Sequence, residues 1–306
     1  MKKKVAVLLG GFSVEREVSL SSGQGVMNAL QELGHEAISI DVTRDMREFV
    51  HNLETHKPDV VLNILHGRWG EDGCVQGLLE MMNIPYSHSG VLGSALSMNK
   101  VLARKICQAE GIRVPEGQVA KLADICAGRV MKPPYVIKPI GEGSSLGVYV
   151  ILDETSPLPN LQDWPFEDEV LVERYIPGRE LHVTVMGDKA VGAIETRAPN
   201  SFLDFEAKYT EGKAEHLMPA PVHKDVYAEA LSWGEKAHKA LGCRGLSRSD
   251  FRYDDTNGEP GHLYYLETNP QPGFTPVSLV PETVAHKGMN YVQLVQWMVE
   301  DASCRR

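Results

Sequence analysis

No apolar run among the 306 residues is long enough to cross a bilayer, which takes about 20 consecutive nonpolar side chains, so a membrane-spanning helix is not expected. Lys2, Lys3 and Lys4 precede an apolar stretch, Val5 to Leu9. It is too short for a signal peptide and runs into Gly10, Gly11 and the charged Glu15, Arg16 and Glu17. Paired cysteines are lacking as well. Cys74, Cys107, Cys126, Cys243 and Cys304 are odd in number, scattered and without a C-x-x-C spacing, which points to reduced thiols, no structural zinc and a cytoplasmic protein. Basic excess is missing too: 31 Lys and Arg against 41 Asp and Glu leave a net charge of -10, which argues against non-specific binding to nucleic acid. Neither an internal repeat nor a low-complexity tract occurs.

What the chain has is an ordinary globular balance, 42% hydrophobic and 24% charged, and length for two or three units with a sizeable core. Lys4 to Leu9 reads as a buried strand, followed by the Gly10-Gly11 turn and a Ser-rich helix towards Leu33. Strands at Glu36 to Val42 and Asp59 to Leu65 complete a βαβαβ rhythm and predict a parallel sheet. Ligands of such sheets sit beyond the carboxyl ends of the strands, where Gly10, Gly11, His66 and Gly67 fall. A helix is expected over Ser94 to Ala109, then a connection over Gly111 to Gly117. Tyr135 to Pro139 and Val148 to Leu152 read as a hairpin whose tip, Gly141 to Gly147, is glycine-rich. Val170 to Ile176, Leu181 to Met186 and Ala190 to Glu195 read as further strands. Arg197 to Pro221 is a long polar segment of the kind that is functional or disordered. Val226, Ala230, Trp233, Ala237, Ala240 and Leu241 then mark the core face of a helix, and two strands, Leu246 to Tyr253 and Leu263 to Thr268, lead to a final helix near Asn290 to Glu300.

Glu267 and Asn269 are two apart on a strand and leave the same face, with Asp250 on the preceding strand placed to lie opposite. Magnesium takes hard oxygen ligands and combines one or two carboxylates with substrate phosphates, so this trio reads as a metal site. A solvated acidic edge is the alternative, and the flanking Phe251 and Leu266 favour burial. The tip Gly141-Glu142-Gly143-Ser144-Ser145-Leu146-Gly147 offers backbone N-H groups and two hydroxyls to an anion, although it matches neither the P-loop nor the dinucleotide fingerprint. A flexible surface hairpin is the other reading, and Lys138 just before it favours phosphate. Glu15 stands where a helix begins and either interacts with its dipole or binds a ligand. The polar run His66 to Gly73 at a strand end is either an unusual turn or part of a substrate site.

Taken together, Leu8 to Gly11 with Ser13 to Ser19, His66 to Gly73, Ser97 to Lys100, Glu142 to Gly147, Glu206 to Tyr209, and Glu267 to Gly273 with Ser278 to Pro281 make the chain resemble, over nearly its whole length, the D-alanine:D-alanine ligases of the ATP-grasp superfamily. The resemblance implies an α/β, three-domain ATP-grasp architecture. Residues 1–96 would form a substrate-binding domain with a parallel sheet. Residues 97–179 would form a central α+β domain carrying the glycine-rich loop, and 180–306 a C-terminal α+β domain with the metal site and a lid, the two enclosing ATP.

It also implies roles. Lys100 and Lys138 would bind ATP phosphates together with the loop residues Glu142 and Ser145. Glu173, Arg174, Tyr175 and Ile176 would line the adenine pocket, although periodicity alone gives Tyr175 and Ile176 to the core. Glu180 would take the ribose. Asp250, Glu267 and Asn269 would hold two magnesium ions, with manganese as a possible substitute. Arg248 and the Gly273 backbone would face the oxyanion. Glu15 would fix the ammonium of the first D-alanine beside His66, and Ser278 with the Leu279 backbone would hold the carboxylate of the second. Lys208 would reach the γ-phosphate from the lid, and Tyr209 would join Ser144 and Glu15 in a hydrogen-bonded group that favours dipeptide over ester. Two departures, Thr268-Asn269-Pro270-Gln271 and Arg174-Tyr175, touch nucleotide affinity and second-site geometry. A cytoplasmic homodimer is the implied assembly. The same phosphate machinery would also serve another carboxylate–amine ligase or a nucleotide-binding protein without catalysis.

Overall fold

In a computed structural model of the chain, the described residues are 2–143, 145–197 and 215–305. The first sheet is parallel, with β1 (Lys4–Gly10) between β2 (Glu36–Val42) and β3 (Val60–Asn63). Its central strand is apolar without interruption because both faces are covered, as parallel sheets require. Val5 and Val7 join Val26 and Leu30 of α1 (Arg16–Glu32) and Leu294 and Val295 of α9 (Tyr291–Asp301). Ala6 and Leu8 point the other way, to Phe49 and Leu53 of α2 (Met46–His56) and Leu79 of α3 (Cys74–Met81). Each such buried Val, Leu or Phe side chain contributes about 1.5–3 kcal/mol.

The second sheet is antiparallel, in the order β4 (Gly117–Lys121), β7 (Glu169–Arg174), β5 (Tyr135–Pro139), β6 (Tyr149–Ile151). Ile137, Ile151, Val170 and Val172 pack on Leu122 and Ile125 of α6 (Leu122–Cys126). The third sheet runs β10 (Glu215–Leu217), β9 (Lys189–Arg197), β8 (Arg179–Met186), β11 (Leu246–Asp254), β12 (His262–Asn269). Val183, Val185, Phe251 and Tyr253 bury one face of it against α7 (Lys224–Ala240), where the predicted stripe of Val226, Ala230, Trp233 and Ala237 is found. The opposite face carries His182, Asp250 and Glu267, which the strand register sets side by side.

Three expectations need correction. The helix predicted over Ser94 to Ala109 is two helices, α4 (Val91–Met98) and α5 (Lys100–Ala109). Asn99 breaks it with an extended backbone, and its side chain accepts from Leu102 N at 3.0 Å as an N-cap. The third strand stops at Asn63 rather than Leu65, because the Asn63 side chain accepts from Leu65 N (3.2 Å) and donates to Gly70 O (2.8 Å), turning the chain. The polar segment Arg197 to Pro221 is not all loop: β10 pairs antiparallel with the end of β9. Ser144, Lys208 and Tyr209 lie outside the described residues.

Candidate active site

A cleft opens between the second and third sheets. The strand period accounts for much of its lining. Val136 and Lys138 leave β5 on the face away from the Ile137 core, and Val148 and Val150 meet them from the returning strand. Leu146 and Ser145 of the glycine-rich tip cover the entrance, where Ser145 has a left-handed backbone (φ 59°). From the third sheet come Glu180, Asp250, Arg252, Leu266 and Glu267, and Arg174, Tyr175 and Ile176 close one end as the chain passes between the sheets. Leu266 and Glu267 are consecutive, yet both line the cleft. The register jumps between Asp250 and Phe251, leaving Leu266 as the extra residue of a bulge.

Cations and carboxylates are interlocked here. Lys100, at the first position of α5, ion-pairs with Glu267 (Nζ to Oε2, 3.1 Å), donates to the carbonyl of Glu142, and through its backbone N-H donates to Ile140 O (3.0 Å). Glu173 is fully buried between two cations, Lys138 and Arg104, the latter at 2.5 Å. Gly117 makes room for that pairing, since a Cβ there would stand 2.9 Å from Arg104 Nη1. Glu142 is half-buried, and burial, opposed by Arg68 and Lys100, raises its carboxyl above the usual range.

Asp250 and Glu267 face each other across β11 and β12, with Asn269 two residues further along. Burial alone would raise the Asp250 carboxyl, but the charge of Arg248 and contact with His182 outweigh it and hold the group ionised below its ordinary value. Arg248 grips it by Nε to Oδ1 (2.7 Å) and Nη2 to Oδ2 (2.9 Å), and His182 Nδ1 lies 2.7 Å from Oδ1. Asn269 Oδ1 accepts from Gln271 N at 2.8 Å. Among the described residues no three His, Cys, Asp or Glu side chains converge as a metal site by themselves. Two carboxylates and an amide fit instead a hard cation that draws its other oxygens from phosphates.

Beyond the tip, towards the first sheet, lies a second group. Glu15 is the N-cap of α1, but its side chain caps nothing there and is buried. A Cβ on Gly67 would stand 2.9 Å from Glu15 Oε2, and one on Gly143 would be 3.5 Å from both Glu15 Oε2 and Glu71 Oε1, so the two carboxylates converge under the glycine-rich tip. Glu71 accepts from Gly67 N at 2.9 Å; burial and the neighbouring Glu15 raise its carboxyl well above the usual range. His66 is also buried, which lowers its imidazole, with Glu15 acting in the opposite sense. His66 Nε2, Glu71 Oε2 and Gln271 Oε1 are buried without a hydrogen-bond partner among the described residues. Such atoms are costly unless a ligand satisfies them. Nearby, Ser278 is the N-cap of α8 (Leu279–His286) and its Oγ bonds the backbone N-H of Thr275 (3.0 Å) rather than capping the helix. The first N-H groups of that helix, starting at Leu279, have no partner within it. Gly273 lies beside Ser278, 3.4 Å from Oγ to a Cβ built on the glycine.

The structure thus brings Lys100, Lys138, Glu142, Ser145, Glu173, Arg174, Tyr175, Ile176, Glu180, Asp250 and Glu267 to one cleft. Glu15 and His66 lie with Glu71 in the second group, and Gly273, Ser278 and Leu279 near the start of α8. Sequence reasoning missed Arg104, His182 and Arg252, and took Glu71 only as part of the His66 to Gly73 run. Arg104 had a signal: Lys100, Ala103, Arg104 and Cys107 form the buried stripe of α5, so two cations stand where apolar residues belong.

Comparison with known proteins places these features. Family models for the D-ala D-ala ligase N-terminus and C-terminus match residues 48–89 and 112–300. The chain is 51% identical over 307 residues to a D-alanine--D-alanine ligase of Paramagnetospirillum magneticum, covering 99% of this chain and all of the other. It superposes on the ligase of that name from Bacillus anthracis complexed with ATP with a TM-score of 0.80 at 28% identity, covering 98% of this chain and 97% of the other. A D-Ala:D-Ser ligase from Enterococcus faecalis gives 0.79 at 28% identity, over 98% and 99% of the two chains. The ATP-grasp fold implied by the sequence is the fold found, and the chain belongs to the D-alanine–D-alanine ligase family.

Proposed function

We propose that the chain joins two D-alanine molecules into D-alanyl-D-alanine at the expense of ATP, releasing ADP and phosphate, in the cytoplasm, as a step of peptidoglycan precursor synthesis. The observation that carries the reading is the glycine-rich tip, which lines the cleft through Glu142 and Ser145 and stands over the buried Glu15 and Glu71 carboxylates at Gly143. In the first step a carboxylate oxygen of one D-alanine attacks the γ-phosphorus of ATP, and ADP leaves. In the second, the amine of the other D-alanine attacks the carbonyl of the acyl phosphate, loses a proton and expels phosphate.

Lys100 and Lys138 take the phosphates, exchanging their pairing with Glu267 and Glu173 for the incoming anion. Tyr175, Ile176 and Leu266 sandwich the base, and Glu180 takes the ribose. Asp250, Glu267 and Asn269 would hold two magnesium ions, with manganese as a possible substitute, and bound metal would supply positive charge between the carboxylate and the phosphates. Glu15 receives the ammonium of the first substrate. The N-terminus of α8, with Ser278 and the Leu279 N-H, receives the carboxylate of the second. Arg248 and the Gly273 N-H face the oxyanion of the tetrahedral intermediate. From 198–214 the proposal takes Lys208 to the γ-phosphate and Tyr209, with Ser144, to Glu15. The family resemblance extends the proposal to a homodimer.

A second reading, a ligase with a different second substrate, has support in the likeness to the D-Ala:D-Ser ligase. Competition between D-alanine and D-serine for the second position separates the two. For the metal site the test is Glu267→Gln, expected to lower turnover at least about a hundredfold with the melting temperature little changed. A sharp fall in melting temperature with activity per folded molecule retained would remove the metal assignment.

A further inference from the structure

We propose that His182 is the positioning residue of the metal site, fixing the orientation in which Asp250 presents one oxygen to the metal. The inference rests on reading Asp250 as a metal ligand. His182 sits on β8 directly opposite Asp250 in the strand register and is fully buried. Its ring bridges two groups: Nδ1 is 2.7 Å from Asp250 Oδ1, and Nε2 is 2.9 Å from Thr196 Oγ1 on β9. An ionised carboxylate only accepts, so Nδ1 carries the proton. Nε2 is hydrogen-bonded to the Thr196 hydroxyl, which fixes the plane of the ring. Thr196 thereby holds the ring in the orientation that points Nδ1 at Asp250.

The consequence is an asymmetric carboxylate. Oδ1 accepts from both Arg248 Nε and His182 Nδ1, which fills its two lone pairs, whereas Oδ2 accepts only one of the two Arg248 bonds and keeps a lone pair free of both. Asp250 is thus set to ligate through Oδ2 alone. Arg248 cannot do this by itself, because the same guanidinium is proposed to face the oxyanion. His182, held on β8, has no other proposed task and is the donor that keeps the carboxylate from rotating. Groups behind metal ligands that fix their orientation are worth roughly 10- to 100-fold in affinity. Glu180, with Oε1 3.7 Å from His182 Nε2, is too far for a hydrogen bond and leaves the Thr196 bond undisturbed.

The test compares the full-length wild type with His182→Leu, His182→Asn, Thr196→Val and Asp250→Asn. Calorimetry measures the dissociation constant of a non-hydrolysable ATP analogue in EDTA and in saturating Mn2+; the ratio of the two reports metal bridging through the protein. Asp250→Asn is expected to collapse that ratio. His182→Leu should lower it about tenfold, and His182→Asn, whose amide N-H can stand in for Nδ1-H, should recover it to within about threefold of wild type. Thr196→Val should lower it several-fold by releasing the ring, and affinity in EDTA should match wild type in the His182 and Thr196 variants.

If Asp250→Asn collapses the ratio and His182→Leu leaves it at the wild-type value, the positioning role is wrong while the metal reading stands. A wild-type ratio in Asp250→Asn removes the metal reading and this inference with it. Loss of affinity in EDTA to the same extent as in Mn2+ would mark His182 as merely structural. Should His182→Leu melt below the assay temperature, the Asn and Val variants decide: folded His182→Asn without recovery, or folded Thr196→Val at the wild-type ratio, overturns the inference.

Discussion

Glu173 is the buried charge on which the nucleotide cleft turns. Its carboxylate is enclosed by Lys138 from the neighbouring strand and Arg104 from α5, and Arg104 also donates to the carbonyl of Pro115. Removing the charge leaves two cations desolvated, so Glu173→Gln is expected to cost about 3–5 kcal/mol in urea unfolding. A change below about 1 kcal/mol would mean that water reaches the cluster. Asp250 and Glu267 were legible in the sequence because strand spacing fixes the face of each side chain, and Lys138 because it stands just before the glycine-rich tip. Arg104 was not singled out, because its guanidinium finds Glu173 only once Gly117 leaves a gap between helix and sheet. His182 was hidden inside an apolar alternation that reads as ordinary core.

At the scale of elements, turns and caps decide what reaches the site. Gly67 has φ 72°, a left-handed conformation, and faces Ser13 as well as Glu15. Gly67→Ala should therefore displace the Glu15 carboxylate and raise KM for D-alanine while leaving ATP affinity nearly unchanged; an equal loss for both substrates would show a general collapse of the turn. Helix α7 carries a different kind of buried group. His238 donates or accepts at 2.7 Å with Ser247 Oγ, and burial pulls its imidazole from the ordinary 6.5 to about 4, with Asp188 acting against the shift and Lys239 and Arg244 adding to it. Because the folded value lies below the unfolded one, the unfolded chain binds the extra proton between pH 6.5 and 4. Stability from this group is then complete above pH 6.5 and lost as pH falls towards 4, with a slope of up to about 1.4 kcal/mol per pH unit. Urea midpoints across that window should fall less steeply in His238→Gln; identical slopes would contradict the assignment. Helix and strand identities were readable from periodicity, whereas the break at Asn99 and the bulge at Leu266 were not. One needs the side-chain cap on Leu102, the other the pairing partner, and neither is a property of a single segment.

On the scale of the molecule, the last helix returns to the first strand. Val295 and Leu294 of α9 share a core with Val5 and Val7, and Tyr86 bridges both Val61 and Ser303, so residues almost 300 apart in sequence bury one surface. The amphipathic pattern predicted the helix but not its destination, because an apolar stripe specifies burial and not a partner. Distant segments also assemble the cleft, where Lys100 and Glu267 form an ion pair. The most direct measurement of that account is product analysis after incubating the chain with ATP, magnesium and D-alanine. It predicts D-alanyl-D-alanine and ADP in equal amounts, with L-alanine giving no comparable turnover. ADP release without dipeptide, or equal rates with the two enantiomers, would contradict it.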